Sequence, residues 1–256
     1  MLTAEPTPTT EAATLGDVTS AEWDRLARRR IFFGHQSVGD NLMEGVARVV
    51  AADQRIRLRV EKRDQADFTD GPALVHTLIG RNYEPESKSA AFLDALAGAE
   101  VPDVALYKFC YVDIGPKTDP DTLFAEYART VDRAQSLHPE LTIVHVTVPL
   151  MTARPATGLK GFARRLLGRG PSPEIENNVK RNRYNALLRA RYAGSAPVFD
   201  LARIESTRPD GSRSYFLRGA DTIYTLAPEL TTDGGHLNEL GQRRAAERFL
   251  ALLARL

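Results

Sequence analysis

The chain has 256 residues, 34 Lys and Arg against 33 Asp and Glu, 43% hydrophobic residues and 26% charged ones. That mix suits a globular protein with a sizeable core, and a net charge of +1 gives no overall attraction for nucleic acid. The single cysteine, Cys110, excludes an internal disulfide and any multi-cysteine metal centre. No apolar run reaches the roughly 18 to 20 residues that span a bilayer.

Residues 1–18, rich in Thr, Pro and Ala, read as a flexible leader, and residues 19–256 as one domain. The leader lacks the basic start and apolar stretch of a secretory signal. It suits a frayed terminus or a stalk left by a removed signal or anchor, so localisation stays open between cytoplasmic and secreted or periplasmic. Thr19 followed by Glu22 fits a capping box for a short helix carrying Trp23 and Leu26. The apolar run Ile31-Phe32-Phe33 predicts a buried strand, and apolar spacing over Val38 to Val50 a helix. Alternation over Arg57 to Glu61 predicts a second strand. Lys62 to Ser87, broken by Gly71-Pro72, Gly80 and Pro85, reads as a long loop of the kind that often carries function.

A helix is expected around Ser89 to Ala99, a third strand from Val104 to Phe109, and a helix opened by Pro120. The β-branched run Leu141 to Val148 predicts a fourth strand. A helix from Pro173 to Tyr192, a short strand at Pro197 to Asp200 and a helix from Leu237 to Leu256 complete the chain. Strands alternating with helices predict a three-layer α/β/α sandwich with about five parallel strands.

Ser37 sits in Phe33-Gly-His-Gln-Ser-Val-Gly39, a glycine-flanked turn after the first strand. Ligands of open parallel sheets bind beyond the carboxyl ends of strands, and a helix N-terminus there favours developing negative charge. Capping of the helix is the plain alternative. Asp233 and His236 stand three apart before the last helix, a spacing that lets a carboxylate orient an imidazole toward a nucleophile.

Taken together, Gly34-His-Gln-Ser37 and Asp233-Gly-Gly-His236, with the run His236-Leu-Asn-Glu-Leu-Gly241, resemble the SGNH/GDSL hydrolase superfamily. The resemblance implies a flavodoxin-like fold and an esterase, lipase or carbohydrate deacetylase. Ser37 maps to the nucleophile, His236 to the general base and Asp233 to its orienting partner. The family's oxyanion donors are the nucleophile's N–H, a glycine after strand 2 and an asparagine after strand 3. Gly80 is the preferred glycine and Gly71 its competitor. The expected asparagine is absent from Phe109-Cys-Tyr-Val-Asp113, where Asp113 matches an aspartate of structural role. Asn82 is the first candidate to replace it, Lys108 the second. Gln36 stands where the family often has aspartate.

The implied function is hydrolysis of a carboxylic ester, an O-acyl (acetyl) group on a carbohydrate, with no cofactor. Alternatives are an O-acyltransferase in polysaccharide modification and a non-catalytic carbohydrate-binding domain. A metal is not expected, since His35 with Asp233 and His236 makes a thin ligand set. Cys110 and His145 read as core, and His138 as structural. His76 reads as a surface histidine of the long loop. Between Lys160 and Arg191, nine basic residues outnumber two acidic ones, so this segment offers a contact for an anionic polymer or serves as a solvated face.

Overall fold

The computed structural model describes residues 14–98, 100–153 and 172–256. The basic stretch Lys160 to Pro171 lies outside them. Thr19 accepts the N–H of Glu22 and the Glu22 carboxylate returns to the Thr19 N–H, so the capping box opens α1 (Ser20–Leu26). Before it, Leu15–Asp17 form a 3₁₀ turn and Val18 is buried in the core, so the expected leader is packed over its last residues.

The elements then run β1 (Ile31–His35), α2 (Ser37–Ala52), β2 (Val60–Lys62), β3 (Leu74–Leu78), α3 (Pro85–Leu96), β4 (Val104–Tyr107) and α4 (Pro120–Leu137). They continue as β5 (Thr142–Ile143), β6 (His145–Val146), α5 (Pro173–Tyr192), β7 (Val198–Phe199) and α6 (Leu201–Ser206). A hairpin, β8 (Tyr215–Arg218) and β9 (Asp221–Tyr224), precedes α7 (Glu239–Ala254). The central sheet has five parallel strands in the order β2-β3-β1-β4-β5. One residue beyond β5, the same segment pairs outward: β6 lies parallel to β7.

β3 corrects the expectation of an unbroken loop from Lys62 to Ser87. Leu74, Val75, His76 and Thr77 are all buried, so this is a central strand whose polar residues disguise it. The hairpin β8–β9 was also not foreseen.

Burial on both faces follows from the alternation of side chains along each strand. Phe33 and Leu106 point into the core beneath α1, α2 and α7, with Leu42, Val46 and Phe249. Phe32 and Tyr107 point the other way, into an aromatic core with Phe92, Tyr127 and Tyr184 beneath α3, α4 and α5. α2 and α7 approach closely at Gly45, where a Cβ would lie 2.5 Å from the Gln242 carbonyl oxygen. Gly45→Ala must part the two helices and is expected to destabilise by about 1 to 3 kcal/mol. Urea denaturation should show a lowered midpoint at unchanged slope.

Candidate active site

The parallel sheet delivers the carboxyl ends of β1, β3 and β4 to one edge, β1 in the middle. β1 ends at His35, Gln36 is the N-cap of α2, and Ser37 is its first residue. The turn is tight for two reasons. At Gly34 a Cβ would collide with Ile79, and at Gly39 one would lie 2.3 Å from Cβ and Cγ of His35. Gln36, the departure noted in the sequence, ties the turn to the end of β3: its Nε2 donates to the carbonyls of Ile79 (2.8 Å) and Gly80 (3.1 Å).

From the far end of the chain, the turn before α7 meets Ser37. His236 Nε2 lies 3.0 Å from Ser37 Oγ, and His236 Nδ1 lies 2.6 Å from Asp233 Oδ2. The other carboxylate oxygen accepts the N–H groups of Gly235 (2.9 Å) and His236 (2.8 Å). Bonds from the imidazole and these N–H groups hold the Asp233 carboxyl well below the usual carboxylate range, so it is ionised at neutral pH. An ionised acceptor puts the ring proton on Nδ1 and leaves the Nε2 lone pair facing the serine hydroxyl. Gly234, at φ +89°, makes the turn possible, with Thr152 N donating to its carbonyl at 2.9 Å. Asn41 on α2 accepts the Leu237 N–H at 3.2 Å and so fastens the turn to the serine's helix.

A third loop, after β4, adds Tyr111. Its hydroxyl is 3.4 Å from the same His236 Nε2, and its ring meets the imidazole edge-on. Burial pushes its phenol up to about 12, so it stays protonated. The buried Arg181 donates from Nε and Nη2 to the Tyr111 carbonyl, at 3.1 and 3.0 Å.

The candidate oxyanion donors lie on the loop after β3. Gly80 has φ +58°, and a Cβ there would lie 2.6 Å from the Lys88 backbone nitrogen. Among the described residues, its N–H makes no hydrogen bond. Gly71 precedes β3, at the opposite edge of the sheet, and is no longer a competitor. Asn82 Oδ1 faces Lys88 Nζ at 3.1 Å. An ammonium only donates, so the amide's NH₂ end is the one left to project. Lys88 is fully buried in an ion pair with Asp113. Asp113 also accepts the N–H groups of Cys110 (2.6 Å) and Tyr83 (2.9 Å), which clamps the two loops together. Lys108, the second candidate donor, is buried, and its Nζ makes no hydrogen bond among the described residues.

His35 does not join Asp233 and His236; its Nε2 lies 2.9 Å from His76 Nδ1. His76 is buried on β3 rather than exposed on a loop. His145 bonds Tyr127 and stacks on Tyr192, a core role, and Cys110 is buried. The cations of 180–191 are used internally: Lys180 on the carbonyls of Gly115, Pro116 and Thr118, Arg183 on Asp121, Arg189 on Asp200, Arg191 on Asp132. No helix among the described residues is long and apolar enough to cross a membrane.

No protein-family model and no curated protein matches the chain. Solved structures match over most of its length. A protein from Streptococcus pneumonia, provisionally described as a platelet activating factor, is 14% identical, with 91% of this chain and 90% of that chain covered and a TM-score of 0.51. A GDSL-like lipase from Bacteroides thetaiotaomicron is 12% identical over 93% of this chain and 100% of its own, also at 0.51. A lipase/acylhydrolase from Enterococcus faecalis is 18% identical over 89% and 94%, at 0.45. At such identities the likeness shows the fold alone. The chain has a divergent form of the SGNH/GDSL hydrolase fold.

Proposed function

We propose that the protein is a serine esterase that removes a small acyl group, such as acetyl, from a carbohydrate. The observation that carries this reading is the unbroken relay from Ser37 Oγ through His236 to Asp233, at 3.0 and 2.6 Å. A serine hydroxyl is a weak nucleophile at neutral pH, and a base within hydrogen-bond reach is what it needs. Ser37 attacks the ester carbonyl as its proton passes to His236 Nε2, and the C=O pair moves onto oxygen. The tetrahedral intermediate collapses when His236 returns the proton to the leaving alcohol. Water then repeats the sequence on the acyl-serine, with His236 as base, and releases the acid.

The oxyanion is held by the N–H of Ser37, which as first residue of α2 has no partner within its helix, and by the N–H of Gly80. The Asn82 amide, steered by Lys88, supplies the donor that the family pattern takes from the next strand. Tyr111, on the Nε2 side of the imidazole, stands where the leaving alcohol departs and water enters. Half-exposure of His236 and Asp233 favours water as acceptor over transfer to a second alcohol. The carbohydrate carrier is supported by Tyr83, which is 76% exposed and held at φ +69° beside Asn82, a ring presented to solvent by backbone strain. The non-catalytic reading has no comparable support.

The test combines a p-nitrophenyl acetate assay with fluorophosphonate labelling. Hydrolysis is expected, with one label per chain on Ser37 by peptide mass. A chain that neither hydrolyses the ester nor takes the label at Ser37 would overturn the proposal. Asn82→Ala should lower kcat by about 10² to 10³, the worth of one oxyanion donor. Tyr83→Ala should raise KM for an acetylated oligosaccharide and leave p-nitrophenyl acetate unaffected.

A further inference from the structure

Two imidazoles and a carboxylate converge under the first turn of α2. His35 ends β1, His76 lies on the adjacent β3, and Asp40 is in the first turn itself. One ligand atom from each lies within 4.8 Å of the others. His35 Nδ1 is 3.0 Å from the Gln36 carbonyl, which only accepts, so Nδ1 carries the ring proton. Nε2 then presents its lone pair, and His76 Nδ1 donates to it across 2.9 Å. The Asp40 carboxylate holds Lys62 Nζ at 2.8 Å.

We propose that His35, His76 and Asp40 form a binding site for a divalent transition metal, with Zn²⁺ the best fit, that clamps the first turn of α2 to β1 and β3. Two imidazoles and one carboxylate are a zinc donor set, with the remaining position open to water. Two nitrogen donors disfavour Ca²⁺ and Mg²⁺, which take oxygen. The bond from His35 Nδ1 to a carbonyl is the outer contact that fixes a ligating ring. Zn–N bonds of about 2.0 to 2.1 Å in tetrahedral geometry separate nitrogens by about 3.3 Å. The two rings therefore need part only by a few tenths of an ångström, while the His76 proton moves to its Nε2. Lys62 is half-exposed on the edge strand and is free to swing off Asp40, since exposed ion pairs are weak. Because Gly39 lets α2 lie directly on the His35 ring, the ion would brace the segment bearing Ser37. The inference does not depend on the esterase reading.

The experiment is a Zn²⁺ titration of the chelator-stripped full chain against a chromophoric competitor, with thermal melts in parallel. One Zn²⁺ per chain is expected, raising Tm by about 5 °C or more at a hundredfold excess over Kd. His76→Ala and Asp40→Asn should each weaken binding at least tenfold. Lys62→Ala, a surface change that keeps every ligand, should tighten it, and His236→Ala should leave it unaltered. Binding that survives both ligand substitutions, or that is lost with His236, places the ion elsewhere and overturns the proposal. So do an affinity weaker than about 100 μM and a Lys62→Ala protein that binds no more tightly.

Discussion

Ser37→Ala is expected to lower kcat for ester hydrolysis by about 10⁴-fold or more, with circular dichroism and Tm close to those of the parent. Ser37 is the first residue of α2, and the cap position belongs to Gln36, so the hydroxyl has little to do for the helix. His236→Ala should cost a similar factor, because without a base the hydroxyl keeps its proton. The double variant should be hardly slower than either single one, since each change already disables the same relay. Asp233→Asn keeps the shape of the turn but removes the charge that fixes the ring proton on Nδ1, and should also cost several powers of ten. Steady-state kinetics on p-nitrophenyl acetate, checked by titrating active sites with fluorophosphonate, measure all four. Additive losses, or a Ser37→Ala protein as fast as the parent, would remove the relay from the reaction.

The meeting of Ser37 with His236 was legible in the sequence because both motifs are short, local and chemically specific. Ser37 needs only a strand, a glycine and a helix start, and Asp233 to His236 is a single turn. What was not legible depends on strand order. His76 and Thr77 break the apolar run of β3, so a buried central strand looked like loop. With that strand missing, nothing places His76 beside His35, and the grouping that the sequence offers for His35, through its neighbour Ser37, is with Asp233 and His236. Tyr111 and Lys88 were missed for a related reason. Their parts in the site depend on three loops meeting at one edge, and Lys88 falls between the predicted loop, which ends at Ser87, and the predicted helix, which starts at Ser89, whereas the helix in fact starts at Pro85. Gln36 was seen as a departure from the family pattern, but its bonds to Ile79 and Gly80 need the β1–β3 register to make sense.

That same edge is underlain by charge that no local pattern announces. Lys88 and Asp113 neutralise each other, and Arg181 is spent on the Tyr111 carbonyl and on Asn178 of its own helix. Together they fix the loops after β3 and β4 relative to each other, while Gln36 fixes the first of these to Ser37. Positions of donors around the proposed oxyanion thus depend on buried ions rather than on apolar packing, which is the costlier way to hold a loop and the more directional one.

Glu205→Gln is expected to flatten the fall in stability of the protein between pH 5 and pH 8. Glu205, on α6, is fully buried; one carboxyl oxygen accepts the Leu150 N–H at 2.8 Å and the other has no partner among the described residues. Burial pushes its carboxyl up from an ordinary value of 4.5 to about 8, against the opposing pull of the Leu150 N–H and of Lys108 and Arg181. The folded chain therefore keeps a proton that the unfolded chain releases between these values. Its stabilising contribution is complete below about pH 4.5 and is lost as pH rises through about 8. One proton gives a slope of at most about 1.4 kcal/mol per pH unit, hence a few kcal/mol across the window. Burial pushes the neighbouring Lys108 down, which acts in the opposite sense, and Glu205 is one of the charges acting on it, so the difference between the two proteins reports Glu205 together with its effect on Lys108. Urea unfolding at pH 5, 6, 7 and 8 should give curves that diverge with rising pH, the Gln variant ending as the more stable. Parallel curves would mean that Glu205 is ionised in the folded protein, paired with the ammonium of Lys108 after all.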